Sequence, residues 1–502
     1  MTNTTSEGRS PRSRARDWAR DLRGWLSRRK AKVIAGLVVL FHVLGLLGSV
    51  HAVMTARTAQ GAIAWAVSLN TFPYVAVPAY WVFGRRKFEG YVERFQEHDE
   101  QLRQFVQEFR SRLAPYEIAR EERVPDYEAL KALARSPLLG RNDVELLIDG
   151  EATFDSIIEG IGRARESVLV EFYIVRDDGL GRRLQQALIA KAREGVRVLF
   201  LYDEIGSHGL TQAYRTELQE AGAEISAFNT TQGRRNRFQL NFRNHRKIVV
   251  VDGAEAWIGG HNVGDDYLSL YPKTAPWRDT HVHLIGPVAL LAQLTFAGDW
   301  YWATEELVSL GWEPQPAETG DTAALVLASG PADRLETAQL FFVHALNAAK
   351  DRIWIATPYF VPDEAVMTAL QLATLRGVDV RVILPKKPDS YAVWLASFWY
   401  IEELADDDVR FYHYEEGFMH QKVMLVDDYW SAVGTANFDN RSFRLNFEVT
   451  AVVADRPFAK EMEAMLEADM ERSVLFDPSR LKEMGFFRRL AVRTARLLSP
   501  IL

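Results

Sequence analysis

One pattern occurs twice in this chain and constrains what it can fold into. His245-Arg246-Lys247 leads into Ile-Val-Val-Val, closes on Asp252, and is followed by Gly259-Gly260-His261-Asn262. His420-Gln421-Lys422 leads into Val-Met-Leu-Val, closes on Asp427, and is followed by Gly434-Thr435-Ala436-Asn437. In both copies Lys lies two residues after His, Asp seven, the first glycine fourteen and Asn seventeen. The apolar, β-branched runs predict strands, and side chains at i and i+2 of a strand share a face. Imidazole and ammonium then point into one space. Lys supplies positive charge, His a group that attacks or carries a proton near neutral pH, and Asn an amide donor. Together they describe a site for an anionic, tetrahedral group such as phosphate, with each copy supplying half of it.

The repetition extends beyond the motifs. Val168–Ile174 and Ile353–Tyr359 read as matched strands, as do Gly195–Leu201 and Gly377–Ile383, at offsets of 185 and 182 residues against 175 for the motifs. Constant order with drifting offset predicts a duplicated αβ unit with unequal loops, in a layered α/β fold with pseudo-two-fold symmetry. A length of 502 residues accommodates two or three domains. We place the first unit at 141–315 and the second at 316–480.

Residues 1–32 carry ten Lys/Arg against three acids. Trp18, Leu22, Trp25 and Leu26 recur there at helical spacing, as expected of a basic amphipathic helix at a membrane surface. Val33–Met54 is uncharged for 22 residues, enough to cross a hydrocarbon core of ~30 Å. Gly61–Gly84 is a second charge-free span, interrupted by Asn70, Pro73 and Pro78; it reads as a kinked or re-entrant return. Arg85-Arg86-Lys87 follow, so the excess of positive charge puts both ends of a hairpin at 33–84 on the cytoplasmic side. Residues 85–140 form a helical connector with Phe88, Tyr91, Phe95, Leu102, Phe105 and Phe109 at helical spacing. Residues 481–502 combine Phe486, Phe487, Leu490, Val492 and Leu497 with four arginines, a second interfacial helix. The net charge of −7 argues against a nucleic-acid partner, and the absence of cysteine excludes disulfides and thiolate metal sites. No carboxylate cluster stands at metal-ligand spacing, so neither metal nor cofactor is expected.

The double His-x-Lys-x4-Asp pattern resembles that of the phospholipase D superfamily. Within it, Asn241–Gly253, Tyr202–Ser207, Thr357–Asp363 and Gly434–Glu448 resemble bacterial cardiolipin synthases. The resemblance covers roughly residues 33–502, with the Arg-rich start and Asn70 as departures. It implies a phospholipase D-type αβα unit, duplicated, behind an α-helical membrane hairpin. It also implies a multi-pass protein of the bacterial inner membrane with cytoplasmic catalytic units. The implied reaction transfers a phosphatidyl group from one phosphatidylglycerol to another through a phosphohistidine, releasing glycerol. Water or another acceptor alcohol would make it a membrane phospholipase D or a different phosphatidyltransferase. The implied partners are phosphatidylglycerol and anionic membrane lipid; the oligomeric state is left open.

On this reading His245, Lys247, His420 and Lys422 are catalytic, one His as nucleophile and one as acid. Asp252 and Asp427 belong to the catalytic motif, although their place before turns fits a structural role equally. Asn262, Asn437, Gly260 and Thr435 are expected around the substrate. Asp279 and Glu448 are expected to hold the far ring nitrogens, Glu448 for His420 and Asp279 for His245. His261 is a further candidate for substrate contact. Trp394, Phe398, Trp399 and Tyr400 are candidates for an acyl entrance.

Overall fold

The computed structural model describes residues 11–84, 87–88, 90–91, 99–118, 127–228, 241–405 and 407–502, and of 11–28, 99–103 and 482 only the backbone. Expectations for the side chains of Trp18, Leu22, Trp25 and Leu26, and for Arg85, Arg86, Phe95 and Leu102, lie outside the described residues. The chain divides into two compact units, Met1–Arg86 and Lys87–Leu502.

In the first unit a single helix runs from Pro11 to Thr55. Its stretch Arg29–Thr55, 27 residues, is long and apolar enough to cross a membrane, the one such helix among the described residues. The expected second span is instead two short helices, Ala59–Thr71 and Pro73–Phe83. Pro73 has no N–H to continue the ladder and its ring opposes the preceding turn, so it begins a new helix at its first position. At 13 and 11 residues neither piece reaches the ~20 that spanning needs. Both pack back on the long helix. Gly45 is required there, because a Cβ would stand 2.2 Å from the Leu69 carbonyl oxygen. Asn70 Nδ2 donates to Ser49 Oγ at 2.7 Å, and Tyr80 hydroxyl meets the His51 ring at 2.6 Å.

The second unit is built on one mixed sheet. From its centre, one run passes through Leu139–Ile148, Thr280–Ile285, Glu255–Gly259, Ile248–Val251, Ser167–Phe172, Arg197–Asp203 and Glu224–Phe228. The other passes through Thr322–Ser329, Asn446–Ala454, Trp430–Gly434, Val423–Val426, Arg352–Ala356, Asp379–Pro385 and Arg410–Tyr414, with Ser473–Leu475 added at its edge. The runs join where Leu139 pairs antiparallel with Ala324. In each run the three strands beyond the motif strand pair parallel with one another and the motif strand pairs antiparallel on both sides, while the added edge strand Ser473–Leu475 is antiparallel. Motif strands Ile248–Val251 and Val423–Val426 are buried at every residue, as the unbroken apolar runs predict. The helix Ala289–Thr304 lies against the first run and Asp299 is its one charged residue. The connector joins this unit: Phe88 is buried among Phe242, Trp302 and Phe447.

Candidate active site

Each His-x-Lys segment stands just before its buried strand and is tied to the other half by a short parallel ladder. Arg243–Asn244 pairs with Asn446–Phe447, and Phe418–Met419 pairs with Trp277–Arg278. The His245 N–H donates to the Phe447 carbonyl at 2.9 Å; the His420 N–H donates to the Arg278 carbonyl at 2.8 Å. One residue beyond each of these carbonyls is an acid, Glu448 or Asp279. Successive strand residues alternate sides, so the ladder brings each acid to the histidine of the opposite half.

His245 Nδ1 lies 2.9 Å from Glu448 Oε2 and 3.1 Å from the Thr435 carbonyl; His420 Nδ1 lies 2.8 Å from Asp279 Oδ2. The expected assignment is corrected here: Glu448 serves His245 and Asp279 serves His420. The acids follow their own half in sequence, but the ladders cross between halves. With Nδ1 facing an acceptor, Nε2 is left as the reactive nitrogen.

Burial pushes both His245 and His420 down to about 4, against the pull of their carboxylates. It also lowers Lys247 to about 7 and Lys422 to about 8, with Lys422 adding to the effect on Lys247. Lys422 presses on His245 as well, which brings groups of both halves into one field. Burial acts to raise Asp279, yet His261, Lys422 and His420 outweigh it and hold the carboxyl below its usual range. Glu448 is likewise held low by His245 and Lys247. Burial thus works against charge on both lysines and both imidazoles, and a phosphodiester anion placed among them would favour their protonated forms. Lys247 Nζ donates to the His245 carbonyl at 2.6 Å and Lys422 Nζ to the His420 carbonyl. Tyr173 closes one wall, its ring 5.0 Å from that of His245 and 5.4 Å from Lys247 Nζ.

The structure does not bring the motif aspartates here. Asp252 and Asp427 end their strands in left-handed turns, φ 52° and 53°, five residues and roughly 16 Å beyond the lysines. Asp252 accepts the N–H groups of Arg165, Glu166 and Ser167; Asp427 accepts those of Lys350, Asp351 and Arg352. Each therefore brackets the start of the neighbouring strand, which corrects the catalytic expectation.

Gly260 and Thr435 face the acids rather than a substrate. A Cβ at Gly260 would lie 1.9 Å from Asp279 Oδ1, and Thr435 Oγ1 donates to Glu448 Oε2 at 2.6 Å. Asn262 accepts from the Ile174 N–H at 3.0 Å and donates to the Tyr267 hydroxyl at 2.9 Å, so its amide is already engaged. Asn437 is buried with its Oδ1 unpartnered. His261 sits behind Asp279, paired through Nδ1 with His281 Nδ1 at 3.0 Å, which corrects the substrate-contact expectation.

Sequence reasoning missed the middle residues of the two motifs. Arg246 turns away from the site to ion-pair with buried Asp299 and donate to the carbonyls of Glu448 and Ser329. Gln421 donates to Asp469 at 2.7 Å, and Asp469 holds Arg278 through two bonds of 2.7 and 2.8 Å. The available signal was Asp299, a lone acid in an otherwise uncharged helix, since a buried charge needs a partner.

The family described as "Cardiolipin synthase, PLD-like domain" matches residues 157–271 and 342–470. A protein of Pseudomonas aeruginosa (strain LESB58) named Cardiolipin synthase A is 50% identical over 469 residues, 93% of this chain and 96% of its own. One of Pseudomonas fluorescens with the same name is 49% identical, covering 93% of this chain and 98% of its own. Among solved structures, phosphatidylserine synthase of Haemophilus influenzae shares the fold at a TM-score of 0.54 and 16% identity, over 75% of this chain and 99% of that one.

Proposed function

We propose, for a chain that belongs to the bacterial cardiolipin synthases of the phospholipase D superfamily, a two-step exchange carried by the two crossed histidine–acid pairs. The protein is a phosphatidyltransferase that makes cardiolipin, and its substrates are phospholipids such as phosphatidylglycerol. In the first step His245 Nε2 attacks the phosphorus of one phosphatidylglycerol. A P–N bond forms and the P–O bond to the headgroup breaks; His420, held as imidazolium by Asp279 and the bound phosphodiester anion, gives the departing glycerol its Nε2 proton and becomes neutral. In the second step the terminal hydroxyl of another phosphatidylglycerol gives its proton to His420 and attacks the same phosphorus. The P–N bond breaks and cardiolipin leaves. Lys247 and Lys422 hold the non-bridging oxygens, joined by the Asn437 side chain, whose amide NH2 is the donor. Asn262, Gly260 and Thr435 act at one remove, keeping Tyr173's loop and the two acids in place.

The observation that carries this reading is the pairing of His245 with Glu448 and His420 with Asp279, which leaves two Nε2 atoms to work on one phosphorus. The assignment of His245 as nucleophile is supported by its two acceptors, Glu448 and the Thr435 carbonyl, which together pin the Nδ1–H tautomer. The parallel order of the two strand runs supports an origin by duplication of a phospholipase D-type unit, with a pseudo-two-fold axis between 141–315 and 316–480.

In our reading the helix 29–55 crosses the inner membrane, the two short helices of 59–83, too short singly, return end to end as a kinked second arm of the hairpin, and the catalytic units are cytoplasmic. The helix Phe486–Arg496 is read as an interfacial element. Val492 and Ala495 dock on the unit, while Phe486, Leu490 and Leu497 share the opposite, exposed face. It packs on the helix Tyr391–Ala405, whose Trp394 lines a shallow cleft with Tyr359 and Asp389. Asp389 acts on both His420 and Lys422, so the cleft opens beside the site.

The test is the product balance of the purified full chain with phosphatidylglycerol as sole lipid. Cardiolipin and glycerol are expected in near-equal amounts, with little phosphatidic acid. Predominant phosphatidic acid, in membranes as well as in detergent, would make the protein a phospholipase D.

A further inference from the structure

Arg243, His245 and Lys247 alternate onto one side of an extended segment, while Asn244 and Arg246 turn into the buried network around Asp299. Arg441 approaches the same side from the short helix Asn440–Arg444. Its guanidinium donates to the backbone carbonyl of Asn241 at 2.7 Å, to the Asn241 side chain at 3.2 Å and to the Ile501 carbonyl at 3.2 Å. Arg243 donates to the Phe242 carbonyl and to the Tyr173 hydroxyl. All these acceptors are neutral, and among the described residues neither arginine is ion-paired with a carboxylate. Burial, and then the charge of Arg243, lower Arg441 from its ordinary value, so the two cations stand in one field. Tyr173 lies between them and the His245–Lys247 pair.

At the matching positions the other half carries no arginine. By motif spacing the counterpart of Arg243 is Phe418, buried against Trp277 and His420. The counterpart of Arg441 is Asp266, ion-paired with Arg176 at 2.7 Å. Asp439 and Glu448 act on Arg441, and Asp203 feels Arg243, but none is in ion-pair contact with either arginine; two half-buried guanidinium groups are costly to hold in one field, an anion joining them lowers that cost, and guanidinium matches phosphate oxygens in geometry as well as charge.

We propose that Arg243 and Arg441 form a second anion site, which holds the phosphodiester of the incoming lipid alcohol while Lys247 and Lys422 hold the phosphoryl group in transfer. The proposal rests on the transferase reading above. Two residues of extended chain cover about 6.6 Å, within reach of a three-carbon glycerol. An acceptor whose phosphate sits at Arg243 therefore brings its terminal hydroxyl to a phosphorus bound to His245. The O–P bond forms, the P–Nε2 bond breaks with its electron pair returning to the imidazole, and the hydroxyl proton passes to His420. Water and simple alcohols cannot use this anchor, so the site also selects the acceptor.

The test compares two labelled acceptors with the same hydroxyl, glycerophosphoglycerol and glycerol, using phosphatidylglycerol as donor and the full chain in detergent. The unmutated chain should favour glycerophosphoglycerol in kcat/KM by about tenfold or more. Arg243→Gln should cut that preference to about threefold or less, and Arg243→Lys should retain most of it. The proposal is overturned if the unmutated chain shows no preference, if Arg243→Gln leaves the preference intact, or if Arg243→Gln slows both acceptors equally. Those outcomes leave the transferase reading standing. Absence of phosphatidyl transfer to either acceptor would sink that reading, and this inference with it.

Discussion

Around His245 the acceptors are Glu448 and the Thr435 carbonyl, and the flank carries Arg243, Arg441 and Tyr173. Around His420 the acceptor is Asp279, backed by the His261–His281 pair, and the flank is Trp277 and Phe418. The two half-sites have the same His, Lys and Asn at the same spacing and the same strand order behind them. What differs is everything that decides which anion approaches from which side. On the proposed reading the matching strand order gives a symmetric clamp for one phosphorus, and the departures from it give the two histidines different work.

The sharpest way to break that comparison is to remove each histidine. His245→Ala and His420→Ala should each lower cardiolipin formation by roughly 10³-fold or more, since members of such a unit are not additive. They should part company with a donor whose leaving group needs no proton, such as a phosphatidyl ester of nitrophenol. His420→Ala should then recover a burst of nitrophenol, whereas His245→Ala should not. Recovery in His245→Ala instead would exchange the two roles.

The acids come next. Asp279→Asn and Glu448→Gln should each cost roughly 10²- to 10⁴-fold, the range for losing the group that orients a catalytic imidazole. On the nitrophenol donor Asp279→Asn should recover as His420→Ala does, and Glu448→Gln should stay slow with His245→Ala. The opposite grouping would mean that each acid serves the histidine of its own half.

The lysines respond to pH. Among protein groups alone Lys247 is at about 7 and Lys422 at about 8, both lowered chiefly by burial. A bound phosphodiester favours the charged amines, so binding takes up protons above these values and weakens as pH rises through them. Below both values the amines are already charged and contribute no further slope. KM for phosphatidylglycerol should rise between pH 7 and 9, by up to about tenfold per unit for each lysine still titrating. Lys247→Gln should remove the lower part of that rise and Lys422→Gln the upper part. A KM that is flat over this range in the unmutated chain would show the lysines to be fully charged before substrate arrives.

Much of this was legible before the fold was. The spacing from His245 to Asn262 and from His420 to Asn437, and the apolar runs between, give the buried strand, its turn and the His-x-Lys pair that precedes it. The crossing of acids was not, because partners separated by 203 and 141 residues depend on how two halves dock, which no local pattern records. Gly260 and Thr435 looked alike as residues near a phosphate. Only the fold shows that one leaves space for Asp279 and the other bonds Glu448. Pro73 was visible as a breaker, but not that it would divide the second apolar span into two helices packed back on the first.

The smallest effect on chemistry belongs to the residues that give the motif its last letter. Asp252 and Asp427 make the same bracket in the two halves, each receiving three successive backbone N–H groups from the start of the neighbouring strand. Replacing either by Asn keeps the shape but puts a donor where an acceptor stood and removes the charge that strengthens those bonds. A loss of about 1.5–3 kcal/mol in stability is expected, the scale of hydrogen bonds to a charged group. Since the groups lie roughly 16 Å from the lysines, kcat at a temperature where the variant is folded should stay within about threefold of the unmutated value. The measurements are thermal unfolding of the detergent-solubilised chain and cardiolipin formation well below the transition. The two variants should match one another, because here the repeat is symmetric. A kcat loss of 10²-fold or more in a folded Asp252→Asn or Asp427→Asn protein would return that aspartate to the chemistry and end the symmetry argument for it.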